Sequence, residues 1–120
     1  MQPVYIDLHI HTYPNANDRS TDYDVVTLVR KIEEYNDEPF LISFTDHNTI
    51  NKKAYLAAKA IGVNLLLGAE LHIKNHDDVE AFHCHIYFNM DVTEENIKAL
   101  NEILDKLYTN KLPCKTDQSI

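Results

Sequence analysis

An apolar run that begins at Val4 closes on Asp7-Leu8-His9-Ile10-His11-Thr12, so residues 1–11 read as a strand. The Asn, Asp, Ser and Pro residues crowded between Thr12 and Thr21 read as a loop. From Asp22 onward Val25, Val26, Leu28, Val29 and Ile32 fall at helical spacing, which predicts a helix ending near Tyr35. Phe40 to Thr45 is a short apolar run behind Pro39, hence a buried strand. Asn48 or Asn51 can cap the next helix, which is carried by Ala54, Leu56, Ala57, Ala58 and Ala60 and stops at Gly62. Val63 to Leu67 predicts a third strand that runs through Gly68 into Glu70 to Ile73, and Ala81 to Phe88 predicts a fourth. The polar turn Lys74 to Glu80 between them allows either a hairpin or a crossover. Thr93 caps a last helix, with Ile97, Leu100, Leu104 and Leu107 on one face and Glu94, Glu95, Lys98 and Asp105 on the other. Beyond Tyr108 the chain is polar, carries Pro113 and has no periodicity, as a tail or linker would.

Repeated strand-helix units predict a mostly parallel α/β sheet, in which ligands gather at the carboxyl ends of the strands. The notable polar residues fall there. His9 and His11 end the first strand, Asp46 and His47 end the second, and Glu70 lies just past the third. His83 and His85 sit in the fourth, whose direction the pattern leaves open. Along a strand His9 and His11 share a face, about 6–7 Å apart, and two imidazoles so placed can share a metal. Asp7 falls on that face one step back, as a ligand or as a partner that fixes an imidazole tautomer. Taken alone the pair is equally well the polar face of an edge strand; the convergence of all these residues is what favours a metal site.

Composition narrows the picture. The 120 residues suit one compact domain, and 44% hydrophobic with 25% charged residues is the balance of an ordinary globular protein. A formal net charge of −8 argues against an exposed surface built to grip nucleic-acid backbone. With only 11 Lys and Arg, a chain that handles phosphate needs bound divalent cations to neutralise it. Cys84 and Cys114 match no paired ligand spacing and read as free thiols in a reducing compartment. With neither a membrane-length apolar stretch nor a leader, the expectation is a cytoplasmic protein with no membrane partner.

Four motifs in order across residues 5–89 resemble the PHP domain family, named for polymerases and histidinol phosphatases. They are Asp7-Leu8-His9-Ile10-His11-Thr12, Ser43-Phe44-Thr45-Asp46-His47-Asn48-Thr49-Ile50, Gly68-Ala69-Glu70, and His83-Cys84-His85-Ile86-Tyr87-Phe88-Asn89. The resemblance implies part of a PHP-type distorted (β/α)7 barrel, here about four strands and three helices, with a phosphoesterase site of two or three divalent ions. It places metal ligands at His9, His11, His47, Glu70 and His83, with Glu70 bridging two ions and Asp46 orienting its neighbours near the catalytic centre. His85, on the same face as His83, is the alternative ligand if the alignment slips. The family's next ligand is matched by Asp18 only if the loop is one residue longer, since position 17 is Asn. The family's later elements, a further His and an Asp-x-His pair, have no counterpart after residue 108. Residues 1–110 therefore read as the N-terminal portion of the barrel and 111–120 as a tail or a linker to a missing C-terminal part. The last helix and the Asn48-Thr49-Ile50 context are most similar to PHP domains that precede ATPase modules.

Imidazoles with carboxylates suit Zn²⁺, Mn²⁺ or Fe²⁺. Two such ions about 3.5–4 Å apart can bind a phosphate oxygen and activate a water, lowering its pKa from about 15.7 towards 7, so no protein nucleophile is needed. Two glycines leave no phosphate-cradling loop. The expected substrate is a phosphorylated small molecule or a nucleic-acid end, with Arg19 as a bidentate phosphate contact beside Tyr13, Lys52 and Lys53. For Arg19 and the lysines the ordinary reading is a solvated surface. For His72 and His76 it is exposed polar residues, and for Tyr5, Tyr55 and Tyr108 core or core-edge residues whose hydroxyls reach solvent. Two other readings stand beside the enzyme: a non-catalytic PHP-like assembly domain, and a homodimer that covers the open sheet edge.

Overall fold

The computed structural model describes residues 5–13, 24–35, 37–73 and 82–107. The elements run β1 (Tyr5–Ile10), α1 (Val25–Tyr35), β2 (Phe40–Phe44), α2 (Lys52–Ala60), β3 (Asn64–Leu65), β4 (Leu67–Ile73), β5 (Phe82–Phe88) and α3 (Glu94–Leu107). The chain is thus mixed α/β, with three helices and five strands among the described residues, and these strands close no barrel.

Each helix starts at a side-chain cap. Asp24 accepts from the Val26 amide at 3.0 Å and the Thr27 hydroxyl at 3.0 Å, which starts α1 at Val25, later than the periodicity alone predicts. Of the two asparagines able to cap α2, Asn51 does so, accepting from the Ala54 amide at 3.2 Å. Gly62, at φ +84°, supplies the left-handed turn that ends α2. Thr93 caps α3 through the Asn96 amide at 3.1 Å.

β1, β2 and β3 form a parallel sheet in that order, and β4 and β5 form an antiparallel hairpin. The predicted third strand is therefore two. Leu66 still donates its amide to Ile42 at 3.0 Å, after which β4 turns to pair with β5. The change of partner needs Gly68: a Cβ there would lie 2.6 Å from Ser43 Oγ and 2.9 Å from the Tyr87 ring. β4 then rejoins the first sheet, as Glu70 donates to the Asp46 carbonyl and accepts from the Asn48 amide, both at 2.9 Å.

Tyr55 fastens the same junction. Its hydroxyl accepts from the Phe44 amide at 3.0 Å and the Gly68 amide at 3.1 Å, and can donate to the carbonyl of Leu66 at 2.9 Å or of Phe44 at 3.0 Å. The side chain is fully buried, so the expected solvent contact of its hydroxyl is not found; burial pushes its pKa up to about 12. Around it Ile42, Phe44, Ala54, Ala58, Leu67, Ala69, Ile97, Leu100 and Leu104 make the core. Burying an aliphatic side chain such as Leu67 or Ile97 is worth roughly 1.5–3 kcal/mol. Leu107, predicted on the packed face of α3, is exposed instead, because it ends the helix one turn past Leu104. No helix among the described residues is long and apolar enough to cross a membrane.

Candidate metal centre

The hairpin has two unlike faces. In its register Leu67, Ala69 and Leu71 lie opposite Phe88, Ile86 and Cys84, whereas Gly68, Glu70 and His72 lie opposite Tyr87, His85 and His83. Side chains alternate along a strand, so one face is apolar and the other gathers three imidazoles around one carboxylate. Cys84, on the apolar face, is a free thiol.

Two other segments meet that polar face. His47 forms an isolated parallel bridge with Glu70 and is followed by Asn48 at φ +57°, a left-handed turn that asparagine tolerates. The Asn48 side chain accepts the His72 amide at 3.0 Å. From α3, Asn101 grips the next part of this loop, accepting from the Ile50 amide and donating to the Ile50 carbonyl, each at 2.9 Å. The end of β1 brings His9 and His11. The β1–β2 register shifts between Asp7 and Ile10, which breaks the strict alternation. Asp7 consequently does not share a site with the histidines as predicted; its carboxylate takes the backbone amide of His9 at 3.1 Å. Tyr87 ties this segment to the hairpin by donating to the Leu8 carbonyl at 2.6 Å.

Glu70, only 3% exposed, is the centre of the cluster. Its Oε1 lies 2.8 Å from His85 Nε2, 3.2 Å from His9 Nε2 and 3.8 Å from His11 Nε2. Its Oε2 lies 2.9 Å from His47 Nδ1 and 3.3 Å from His83 Nδ1. The two oxygens of one carboxylate thus face two different sets of imidazoles. His9 and His11 approach Nε2 to Nε2 at 2.9 Å, and His47 Nδ1 lies 2.7 Å from His72 Nε2. Donor atoms of His47, Glu70, His72 and His83 all lie within 4.8 Å of one another, as do those of His9, Glu70 and His85.

Protonation states suit cation binding. Burial lowers His47 to about 4, with the neighbouring His11, His72 and His83 adding to the effect against the pull of Glu70. Burial also lowers His11. For Glu70 burial works upward, but the hydrogen bond from His85 and the charges of His47, His11 and His83 outweigh it and hold the carboxyl below its usual value. A metal ion requires neutral imidazoles and an ionised carboxylate, the directions in which His11, His47 and Glu70 are pushed.

Of the residues singled out in the sequence, His9, His11, His47, Glu70 and His83 come together here. His83 and His85, the two alternatives at the fourth strand, both reach the cluster, each facing its own oxygen of Glu70. Asp46 stands behind the cluster. Its carboxylate accepts from the Thr12 amide at 2.7 Å, the Thr12 hydroxyl at 2.5 Å and the Tyr13 amide at 3.1 Å, fixing the backbone just after His11. Burial raises its pKa against these hydrogen bonds. Asp18, Arg19 and His76 lie outside the described residues. Lys52 pairs with Glu94 at 3.1 Å. His72 corrects the expectation of an exposed polar residue: it stacks on His83 at 4.3 Å with the rings 9° apart. The signal was available, because His72 is two residues past Glu70 on the same strand, the parity that made His9 and His11 a pair.

No protein-family model matches the chain, and no curated protein gives a significant match. Among solved structures, it is similar to a candidate metal-dependent phosphoesterase from Bifidobacterium adolescentis, at 23% identity and a TM-score of 0.49 over 90% of this chain. The chain spans about a third of that protein, 36% of its length.

Proposed function

We propose that this chain carries the metal centre of a PHP-type phosphoesterase that hydrolyses a phosphomonoester or a nucleic-acid phosphodiester. The observation that carries this reading is the carboxylate of Glu70, whose two oxygens each face a separate group of imidazoles. The donor set fits divalent ions of the Zn²⁺, Mn²⁺ or Fe²⁺ kind: imidazole nitrogens and one carboxylate, without thiolate and without the all-oxygen shell that Ca²⁺ or Mg²⁺ takes. His9, His11 and His85 with Oε1 would hold one ion, and His47 and His83 with Oε2 another.

Two such ions supply Lewis acidity at a phosphoryl oxygen and lower the pKa of water. The protein's part is positioning. Glu70 is pinned through both its amide and its carbonyl to the 46–48 segment, which fixes the backbone that carries its carboxylate. Asp46 fixes the chain after His11 through Thr12 and Tyr13. His9 and His83 each keep about half of their side-chain surface in solvent, at 53% and 52%, which leaves that side open to a phosphate ester.

The test is hydrolysis of p-nitrophenyl phosphate by chain loaded with Mn²⁺ or Zn²⁺, set against Glu70→Gln. Losing a carboxylate that serves both halves of the site should lower turnover by more than about a hundredfold, beyond the usual effect of removing a residue that only supports a ligand. Turnover by Glu70→Gln at the wild-type rate would overturn the proposal.

A further inference from the structure

The two halves around Glu70 are unequal. On the Oε2 side stand three imidazoles, His47, His72 and His83, and one carboxylate oxygen, all mutually within 4.8 Å. On the Oε1 side His9 and His85 meet that condition with Glu70, and His11 stands beside them, 2.9 Å from His9 and 3.8 Å from the carboxylate. Structural zinc sites are closed by four protein donors, whereas catalytic ones take three and keep a position open. We propose, on the premise of the two-ion reading above, that His72 closes a four-donor Zn²⁺ site with His47, His83 and Glu70 Oε2. The ion held there is the tightly retained one, while the ion beside His9 and His85 exchanges and meets the substrate.

Geometry supports the closed half. A tetrahedron with metal–donor bonds of about 2.0–2.1 Å has edges of about 3.3 Å. The edges seen are 2.7 Å for His47–His72, 2.9 Å for His47–Glu70 and 3.3 Å for His83–Glu70. The other three edges lie within 4.8 Å, so an ion needs rotamer adjustments that bring all six towards one length. The frame is also stiff. His72 lies directly opposite His83 in the hairpin ladder, His47 is bridged to Glu70, and the His72 amide is tied to the Asn48 side chain. The open half draws His9 and His11 from a different sheet, at the irregular end of β1. A looser frame means faster loss of the ion.

The experiment measures binding rather than turnover. The full chain is titrated with Co²⁺ as a spectroscopic stand-in for Zn²⁺, and Zn²⁺ content is measured after dialysis against a weak chelator. In wild type, the intense visible absorption of tetrahedral Co²⁺ should develop with the first equivalent, and one Zn²⁺ should survive dialysis. His72→Ala should lose that absorption and the retained Zn²⁺, with first-ion affinity weaker by more than about tenfold. His9→Ala should keep both and lose only the second, weaker ion. His72→Cys guards against misfolding of the alanine variant, because a thiolate at that position should restore the retained ion and add a sulfur-to-cobalt charge-transfer band. If wild type binds two ions and His72→Ala holds them with unchanged affinity and spectrum, the closed site is overturned and the two-ion reading stands. If wild type binds no ion, both fall.

Discussion

Tyr55 occupies a position where one hydroxyl serves two strands that belong to different sheets. Tyr55→Phe keeps the ring against Phe44 but leaves the amides of Phe44 and Gly68 without their acceptor. Buried amides left unpaired cost about 1–3 kcal/mol, so denaturant titration should show a loss of that size. Its pH dependence is a second signature. The phenol ionises at about 12 in the fold and near 10 in the unfolded chain. Below pH 10 neither state is ionised and the stabilisation is intact; between 10 and 12 only the unfolded chain loses its proton, and stability falls by on the order of 2–3 kcal/mol. Wild type should show that alkaline loss and Tyr55→Phe should lack it. At this scale the sequence is legible where chemistry and parity coincide, as for His9, His11, His47 and Glu70. It misleads at Asp7, where a register shift spoils the parity, and at Tyr55, where tyrosine's ordinary preference for a wet hydroxyl yields to a local demand for a buried acceptor.

Caps and periodicity made the helices readable, since each cap acts within one turn of its own helix. Asn51 shows how much such a residue can carry: besides capping α2, its amide donates to the Thr12 hydroxyl at 2.8 Å, and that hydroxyl donates to Asp46. Asn51→Ala should cost about 1 kcal/mol for the cap alone. The further loss of the Thr12 contact should bring the total measured by thermal melting above that of an isolated cap. The strands were less readable. Val63 to Leu67 is apolar but for Asn64, and nothing in its composition tells that the ladder partner changes at Leu66. The hairpin likewise emerges only when β4 finds β5, a choice made by long-range pairing and by the close approach at Gly68.

At the scale of the whole molecule, the hydrogen bonds that join the three-stranded sheet to the hairpin among the described residues include the His47–Glu70 bridge, the Asn48–His72 contact, the Tyr55 hydroxyl and the Tyr87–Leu8 contact. Ions bound around Glu70 would add a clasp across that seam. At free metal a hundredfold above its dissociation constant the folded state gains about 2.7 kcal/mol. Amide hydrogen exchange should therefore slow on adding Zn²⁺, and slow more in β5, which has β4 as its partner strand, than in β2, which is flanked by β1 and β3. Equal slowing in both strands would mean that the ion does not bridge the seam. Among the described residues the strands form a three-stranded parallel sheet and a hairpin and close no barrel, and no local pattern encodes such long-range pairings. The two-faced hairpin carries one further consequence. A slip of a single residue between β4 and β5 would turn every β5 side chain over, sending Cys84 and Ile86 towards Glu70 and the imidazoles of His83 and His85 into the core. Such an error would strip His83 and His85 from the site, so an ion that binds only the correct arrangement would proofread the pairing as the chain folds.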